Sequence, residues 1–385
     1  MTDFPVLHRN LRELASVDRL RSLRPRSGAD FASNDYLGLA SSRILERAAR
    51  HGLDSGIPIG SGGSRLLRGN HEEHERLEQA AADFFGSESA LWFPTGYAAN
   101  SAFFSTVPQR GDLIIHDELI HASVHEGLRL SRATAVAARH NDANHIADLA
   151  DEYRRAGGTG TIWIAVESLY SMDGDFAPLA DLAEIGQRYG GVLVVDEAHA
   201  TGVFGAGGEG LAAPFRGIVP LVTLHTCGKA LGCEGALLCA DTVIKEFLIN
   251  RARGFIFSTA PSPLMAYITR AALSAIQDGD HLRGELQTLI QHAGRQLTPH
   301  GAKFSGSQIA PLIIGDDAKA MSIAARLQDC GHDVRGIRPP TVPPGTSRLR
   351  ISITRNISAD DIARLAGDLR AALEDSDVQA PMSCA

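Results

Sequence analysis

The chain has 385 residues, too many for one typical domain, so two are expected. It is 44% hydrophobic and 21% charged, as globular proteins are, and its formal net charge of -8 without a block of Lys or Arg argues against a nucleic-acid binder. No stretch is long and apolar enough to span a bilayer, the N-terminus lacks the basic start and apolar core of a signal peptide, and the five cysteines include no C-x-x-C pair. A cytoplasmic protein with free thiols, binding neither nucleic acid nor membrane, is therefore expected.

Residues 1–40 read as an arm, with a helix around Arg9 to Leu23 followed by Phe31-Ala-Ser-Asn-Asp-Tyr-Leu-Gly38. The arm is rich in Arg and poor in apolar mass, so it is expected to pack on the body or on another subunit. Residues 41–277 alternate strand and helix. Glu72 to Phe85 reads as a helix with Leu77, Ala81, Phe84 and Phe85 on one face. The runs at Ala90–Phe93, Asp112–Ile115, Thr161–Val166, Val192–Val195 and Leu221–Leu224 are continuously apolar, as a parallel sheet covered on both faces requires. Gly235 to Cys239 follows too soon for a crossover helix and is predicted antiparallel. Residues 278–385 read as a smaller α+β domain. It has a helix from Leu282 to Leu297, strands at Ile309–Ile314 and Ser347–Thr354, and a last helix from Ser358, where Asp361 forms a near capping box. The tail after Asp375 is expected to be loose.

Five loops follow predicted strand ends, which is where open α/β sheets bind ligands. Pro94-Thr-Gly-Tyr-Ala-Ala-Asn100 opens a helix, so the N–H groups of Gly96 and Tyr97 would form a phosphate site. His121 could lie flat on an aromatic ring, and Ser171 could donate to a phenolic oxygen. Asp196 and His199, in Asp196-Glu-Ala-His199, are spaced to reach one cleft. Lys229 sits among small residues in Thr226-Cys-Gly-Lys-Ala-Leu-Gly232, placed to form a Schiff base. Each residue alone has a plainer reading. A Lys is usually a surface group, an Asp at a strand end is often a cap or turn residue, and with 15 histidines any one is usually structural. Together, a Schiff-base lysine and an acid for a pyridinium nitrogen point to pyridoxal 5'-phosphate (PLP). Two other signals fail. His71-Glu-Glu-His74 lacks the H-E-x-x-H spacing and reads as a polar helix face without a metal, and Gly60-Ser-Gly-Gly63 lacks the context of a dinucleotide fingerprint.

These segments, with Ser33-Asn-Asp-Tyr-Leu-Gly-Leu39, Gly60-Ser-Gly-Gly-Ser-Arg65, Ser171-Met-Asp-Gly-Asp175, Asp196-Glu-Ala-His-Ala-Thr-Gly202 and Arg348-Leu-Arg350, resemble the α-oxoamine synthases from about Phe31 to Thr354. The chain departs from the usual pattern at Ala200, where Gly is common, and at Cys233-Glu234. The resemblance implies an aspartate-aminotransferase-like PLP fold of type I: a large α/β domain with a mainly parallel sheet, plus a smaller C-terminal α+β domain. It implies that Lys229 holds the cofactor, Asp196 pairs with the pyridine nitrogen, His121 stacks on the ring, and Ser171 and His199 meet the ring oxygen. Gly96, Tyr97 and Thr226 would lie near the phosphate, joined by Ser258 or Thr259 of a neighbouring subunit in a homodimer. Arg350 would clamp the amino-acid carboxylate, with Asn34 and Ser64 near the substrate. The implied reaction is a decarboxylating condensation of L-alanine with an acyl-CoA or carrier-protein thioester. The alternatives are a glycine-using member and a non-catalytic partner subunit of the same fold.

Overall fold

The computed structural model describes residues 4–378. They form two compact units. The larger comprises residues 37–171 and 175–283; the smaller comprises the N-terminal segment up to Tyr36, the excursion Met172–Gly174, and the chain from Gly284 onward. The division after Arg283 falls inside the helix Asp280–Leu297, because Arg283 donates to the carbonyls of Ile276 at 2.6 Å and Gly202 at 3.4 Å and so stays with the larger unit.

The larger unit is built on seven strands: β1 (Ser89–Phe93), β2 (Leu113–Asp117), β3 (Thr134–Ala138), β4 (Ile162–Glu167), β5 (Val192–Asp196), β6 (Leu221–Thr226) and β7 (Ala236–Ala240). Their order in the sheet is β1-β7-β6-β5-β4-β2-β3. The pairs β6–β5, β5–β4, β4–β2 and β2–β3 are parallel, whereas β7 runs antiparallel to both β6 and β1, as the short Lys229 turn requires. Side chains alternate between two cores. Val194, Val222 and Leu238 pack with Phe103 and Phe104 on one face, while Ile115, Ile164 and Val195 pack with Ile146 and Leu182 on the other. Each such fully buried side chain stabilises the fold by roughly 1.5–3 kcal/mol.

Strand β3 was not anticipated. Thr134-Ala-Val-Ala-Ala138 carries no large apolar side chain, and as an edge strand it is mostly exposed. The expected polar helix face at His71–His74 is also corrected. His71 caps the helix Glu72–Phe85, and His74 is fully buried, with Nε2 2.8 Å from the Pro261 carbonyl and its ring beside Trp92. Glu73 is buried too, paired with Arg76 and Arg270.

In the smaller unit the strands Arg335–Ile337, Ser347–Ser352 and Ile309–Gly315 form an antiparallel sheet in that order. The last helix, Ala359–Val378, begins with the anticipated reciprocal cap: Ser358 N–H donates to Asp361 Oδ2 at 2.8 Å and Asp361 N–H to Ser358 Oγ at 3.2 Å. The first helix is Pro5–Ser16, earlier than predicted. Proline suits its first turn, and Asp18, at φ 55, follows its end. Beyond it the arm binds the C-terminal residues through Arg19–Asp317 at 2.8 Å and Arg24–Gln328 at 2.8 Å.

Candidate active site

The carboxyl ends of the parallel strands gather the predicted residues of the larger unit. Asp196 is the last residue of β5 and is buried. By strand alternation it shares the face of Val194, where the helix Gly96–Thr106 packs. Asn100, one turn into that helix, donates to Asp196 Oδ2 at 2.8 Å, and Ala198 N–H donates to Oδ1 at 2.9 Å. These two bonds orient the carboxylate.

Asn100 also donates to Ser123 Oγ at 3.0 Å, which lies 2.8 Å from His121 Nδ1. With both amide hydrogens of Asn100 committed to acceptors, the Ser123 hydroxyl proton is directed to Nδ1. Neutral His121 then carries its proton on Nε2. Desolvation of the ring lowers the His121 pKa, with the Lys229 charge acting in the same direction and Asp196 against it. Asn100 and Ser123 were missed as functional candidates, although both lie in the motifs read from the sequence. The signal was their spacing, one helical turn after Gly96 and two residues after His121.

Lys229 stands in the turn between β6 and β7. Cys227 N–H donates to the Gly235 carbonyl at 2.8 Å, Cys233 N–H to Cys227 at 2.8 Å, and Gly232 N–H to Lys229 at 2.9 Å, so the turn is fixed by its own backbone. Gly232 has φ +65, and a Cβ there would stand 2.3 Å from Ala40 N, so only glycine fits this position. Lys229 Nζ lies 2.7 Å from Nε2 of the buried His199.

Thr95 caps the helix Gly96–Thr106 by accepting Ala98 N–H at 3.0 Å, which leaves the first N–H groups at Gly96 and Tyr97 for an anion. A Cβ at Gly96 would be 3.6 Å from Thr226 Oγ1, so a hydroxyl lines the same helix end. Ser171 N–H donates to Glu167 Oε2 at 3.1 Å. Glu167 was not singled out in the sequence. Burial, then the charge of Asp196, pushes its pKa up to about 8. The chain beyond Ser171 is pinned by His140, whose Nδ1 lies 2.9 Å from Asp117 and Nε2 2.9 Å from Asp175. Burial opposes protonation of His140, but those two carboxylates outweigh it and raise its pKa to about 10.

Ser64, Ser258 and Thr259 come together elsewhere in the larger unit. Ala260 N–H donates to the Gly63 carbonyl at 2.8 Å, and Ser61 Oγ to the Ala260 carbonyl at 2.7 Å, which ties their two loops side by side. Thr259 is exposed, as are Ile59, Leu66, Leu67 and Phe257 on the same segments.

The smaller unit brings Asn34 and Arg350 together. Arg350 is buried and donates to Ser352 Oγ at 2.8 Å, Asn34 Oδ1 at 3.1 Å and the Tyr36 hydroxyl at 3.4 Å, all neutral acceptors. Arg348, on the same strand face, is instead paired with Asp173 at 2.6 Å.

The sequence matches the family profile described as aminotransferase class I and II over residues 27–369. An 8-amino-7-oxononanoate synthase of Geobacter sulfurreducens is 41% identical, covering 93% of this chain and 92% of that protein. Among solved structures, a serine palmitoyltransferase from S. paucimobilis with bound PLP-myriocin superposes with a TM-score of 0.87 at 26% identity, covering 97% of this chain and 98% of that one. An 8-amino-7-oxononanoate synthase from Francisella tularensis gives a TM-score of 0.77 at 28% identity, over 91% and 99% of the two chains. The chain therefore belongs to the aminotransferase class I and II family and has its PLP-dependent fold, alongside the 8-amino-7-oxononanoate synthases.

Proposed function

We propose that this chain is a PLP-dependent 8-amino-7-oxononanoate synthase, which joins L-alanine to a pimeloyl thioester of CoA or of a carrier protein and releases CO2 and the thiol. The observation that carries this reading is the Lys229 amine, 2.7 Å from His199, at the carboxyl end of the parallel strands, where the buried Asp196 carboxylate also lies. The donor set suits PLP. Lys229 would hold it covalently, and Asp196, oriented by Asn100, would meet the pyridine nitrogen. His121 would lie against the ring, with Ser171 and His199 at the ring oxygen. The N–H groups of Gly96 and Tyr97 and the Thr226 hydroxyl would receive the phosphate.

When bound, PLP supplies an electron sink for the pair left at the alanine Cα. The protein's part is to bind, orient and move protons. Arg350 clamps the alanine carboxylate with a fork of parallel donors, and Asn34 steadies that fork. Lys229 removes the Cα proton, which requires its amine to be neutral at that moment. His121, with its proton on Nε2, donates near the new ketone.

A second arginine group lies in the smaller unit. Arg338 is almost buried, and its Nε has no partner among the described residues. Arg21 beside it donates to Thr341 Oγ1 at 3.1 Å. Burial, and then the neighbouring Arg21, lowers the Arg338 pKa, while Asp317 and Asp18 act against it.

The exposed apolar side chains of Ile59, Leu66, Leu67 and Phe257, beside Ser258 and Thr259, support a homodimer in which these loops complete the partner's phosphate site. The test of function is product mass. Holoenzyme given pimeloyl-CoA with alanine, glycine or serine is expected to form 8-amino-7-oxononanoate from alanine; preferential use of glycine would contradict the assignment.

A further inference from the structure

Glu167 ends β4 and Asp196 ends β5, and the two are register partners in that parallel pair. Both are buried, which places two carboxyl groups side by side at the floor of the site. Like charges so close cannot both ionise cheaply. Their hydrogen-bond partners differ. Asp196 receives a hydrogen bond on each oxygen, from Asn100 and from the Ala198 N–H. Glu167 receives one on Oε2, from the Ser171 N–H, while Oε1 has no partner among the described residues.

We propose that Glu167 is a positioning residue for this reaction: its carboxyl accepts the Ser171 N–H and fixes the turn that presents the Ser171 side chain, and it does so as a neutral group beside the Asp196 carboxylate. The inference rests on the PLP reading of the site. The charged and titratable groups that face Glu167 are Asp196, Lys229, Asp117 and Tyr170. Burial and Asp196 favour its neutral form, and Lys229 opposes them. A neutral acid leaves one negative charge at the pyridine nitrogen, and it still accepts the Ser171 N–H through its carbonyl oxygen.

The test compares PLP affinity and the absorbance spectrum of bound PLP in wild type, Glu167→Gln, Glu167→Leu, Ser171→Ala and the double variant Glu167→Leu/Ser171→Ala, with apoprotein melting to follow folding. Glutamine keeps a neutral acceptor, so its PLP affinity should stay within about threefold of wild type with the same spectrum at pH 7. Leucine should weaken PLP by about tenfold or more and shift the spectrum, but add less than about threefold in the Ser171→Ala background. If glutamine is as damaging as leucine, a carboxylate rather than a neutral acid is needed and the proposal is wrong. If leucine leaves affinity and spectrum unchanged, or its effect simply adds to that of Ser171→Ala, Glu167 does not position Ser171. Should the leucine variants fail to fold, Glu167→Ala, alone and with Ser171→Ala, makes the same comparison. A wild type that binds no PLP would instead overturn the reading of the site itself.

Discussion

Arg348 and Arg350 lie two residues apart in the strand Ser347–Ser352 and share one face of it. Spacing on one strand face does not by itself tell the two apart. Arg348 is matched by Asp173, whereas Arg350 donates to Ser352 and to Asn34, the residue that the resemblance places near the substrate. Loss of a desolvated, charge-assisted pair costs on the order of 2–3 kcal/mol, so Arg350→Leu is expected to weaken alanine binding by about thirtyfold or more and leave PLP affinity nearly unchanged. Titration of the bound cofactor's absorbance with alanine measures the first, and titration of the apoprotein with PLP measures the second. Arg348→Leu should act on stability instead; an alanine defect confined to that variant would transfer the clamp to Arg348. Residue position was legible where a motif follows a strand end: Asp196 ends β5, His121 caps the helix after β2, and Lys229 stands in the turn after β6. It was not legible at Glu167 or Asn100, whose significance depends on partners brought near only by β-sheet register and by the helix docking on that face.

At the scale of elements, the continuous apolar runs marked the central parallel strands, and the short link before Gly235 marked the antiparallel one. Strand β3 escaped because its edge position demands no large side chains, and His74 escaped because helix periodicity does not show what a neighbouring loop will bury. The loops after β2, β3 and β4 are bracketed by one side chain, His140, which joins Asp117 to Asp175. Asp117 also accepts Leu119 N–H at 2.8 Å, so the segment leading to His121 shares the bracket. The His140 pKa is raised from 6.5 to about 10, so its stabilisation is complete below about 6.5 and is lost as pH rises through about 10. His140→Gln is expected to lose about 1.5–3 kcal/mol at pH 7, with a much smaller deficit at pH 10.5. Denaturant unfolding at the two pH values tests this; an equal deficit at both would show that the imidazolium charge is not what holds the loops.

For the whole molecule, the mainly parallel sheet agrees with the fold class expected from the resemblance. Assembly is the larger claim. If Ser258 and Thr259 complete a partner's phosphate site, the 41.0 kDa chain sediments as a dimer. Mixing an inactive Lys229→Ala chain with a chain weakened at Thr259 should then restore activity, because one of the two sites in each heterodimer carries both intact groups. A fully active monomer would contradict this.

The central claim is that Lys229 carries the cofactor, and borohydride reduction of the PLP-loaded wild type followed by peptide mass mapping tests it most directly. The account predicts one reduced phosphopyridoxyl adduct, on the peptide containing Lys229, and none in a folded Lys229→Ala chain. An adduct on a different lysine, or an unmodified Lys229 in yellow, active protein, would contradict it.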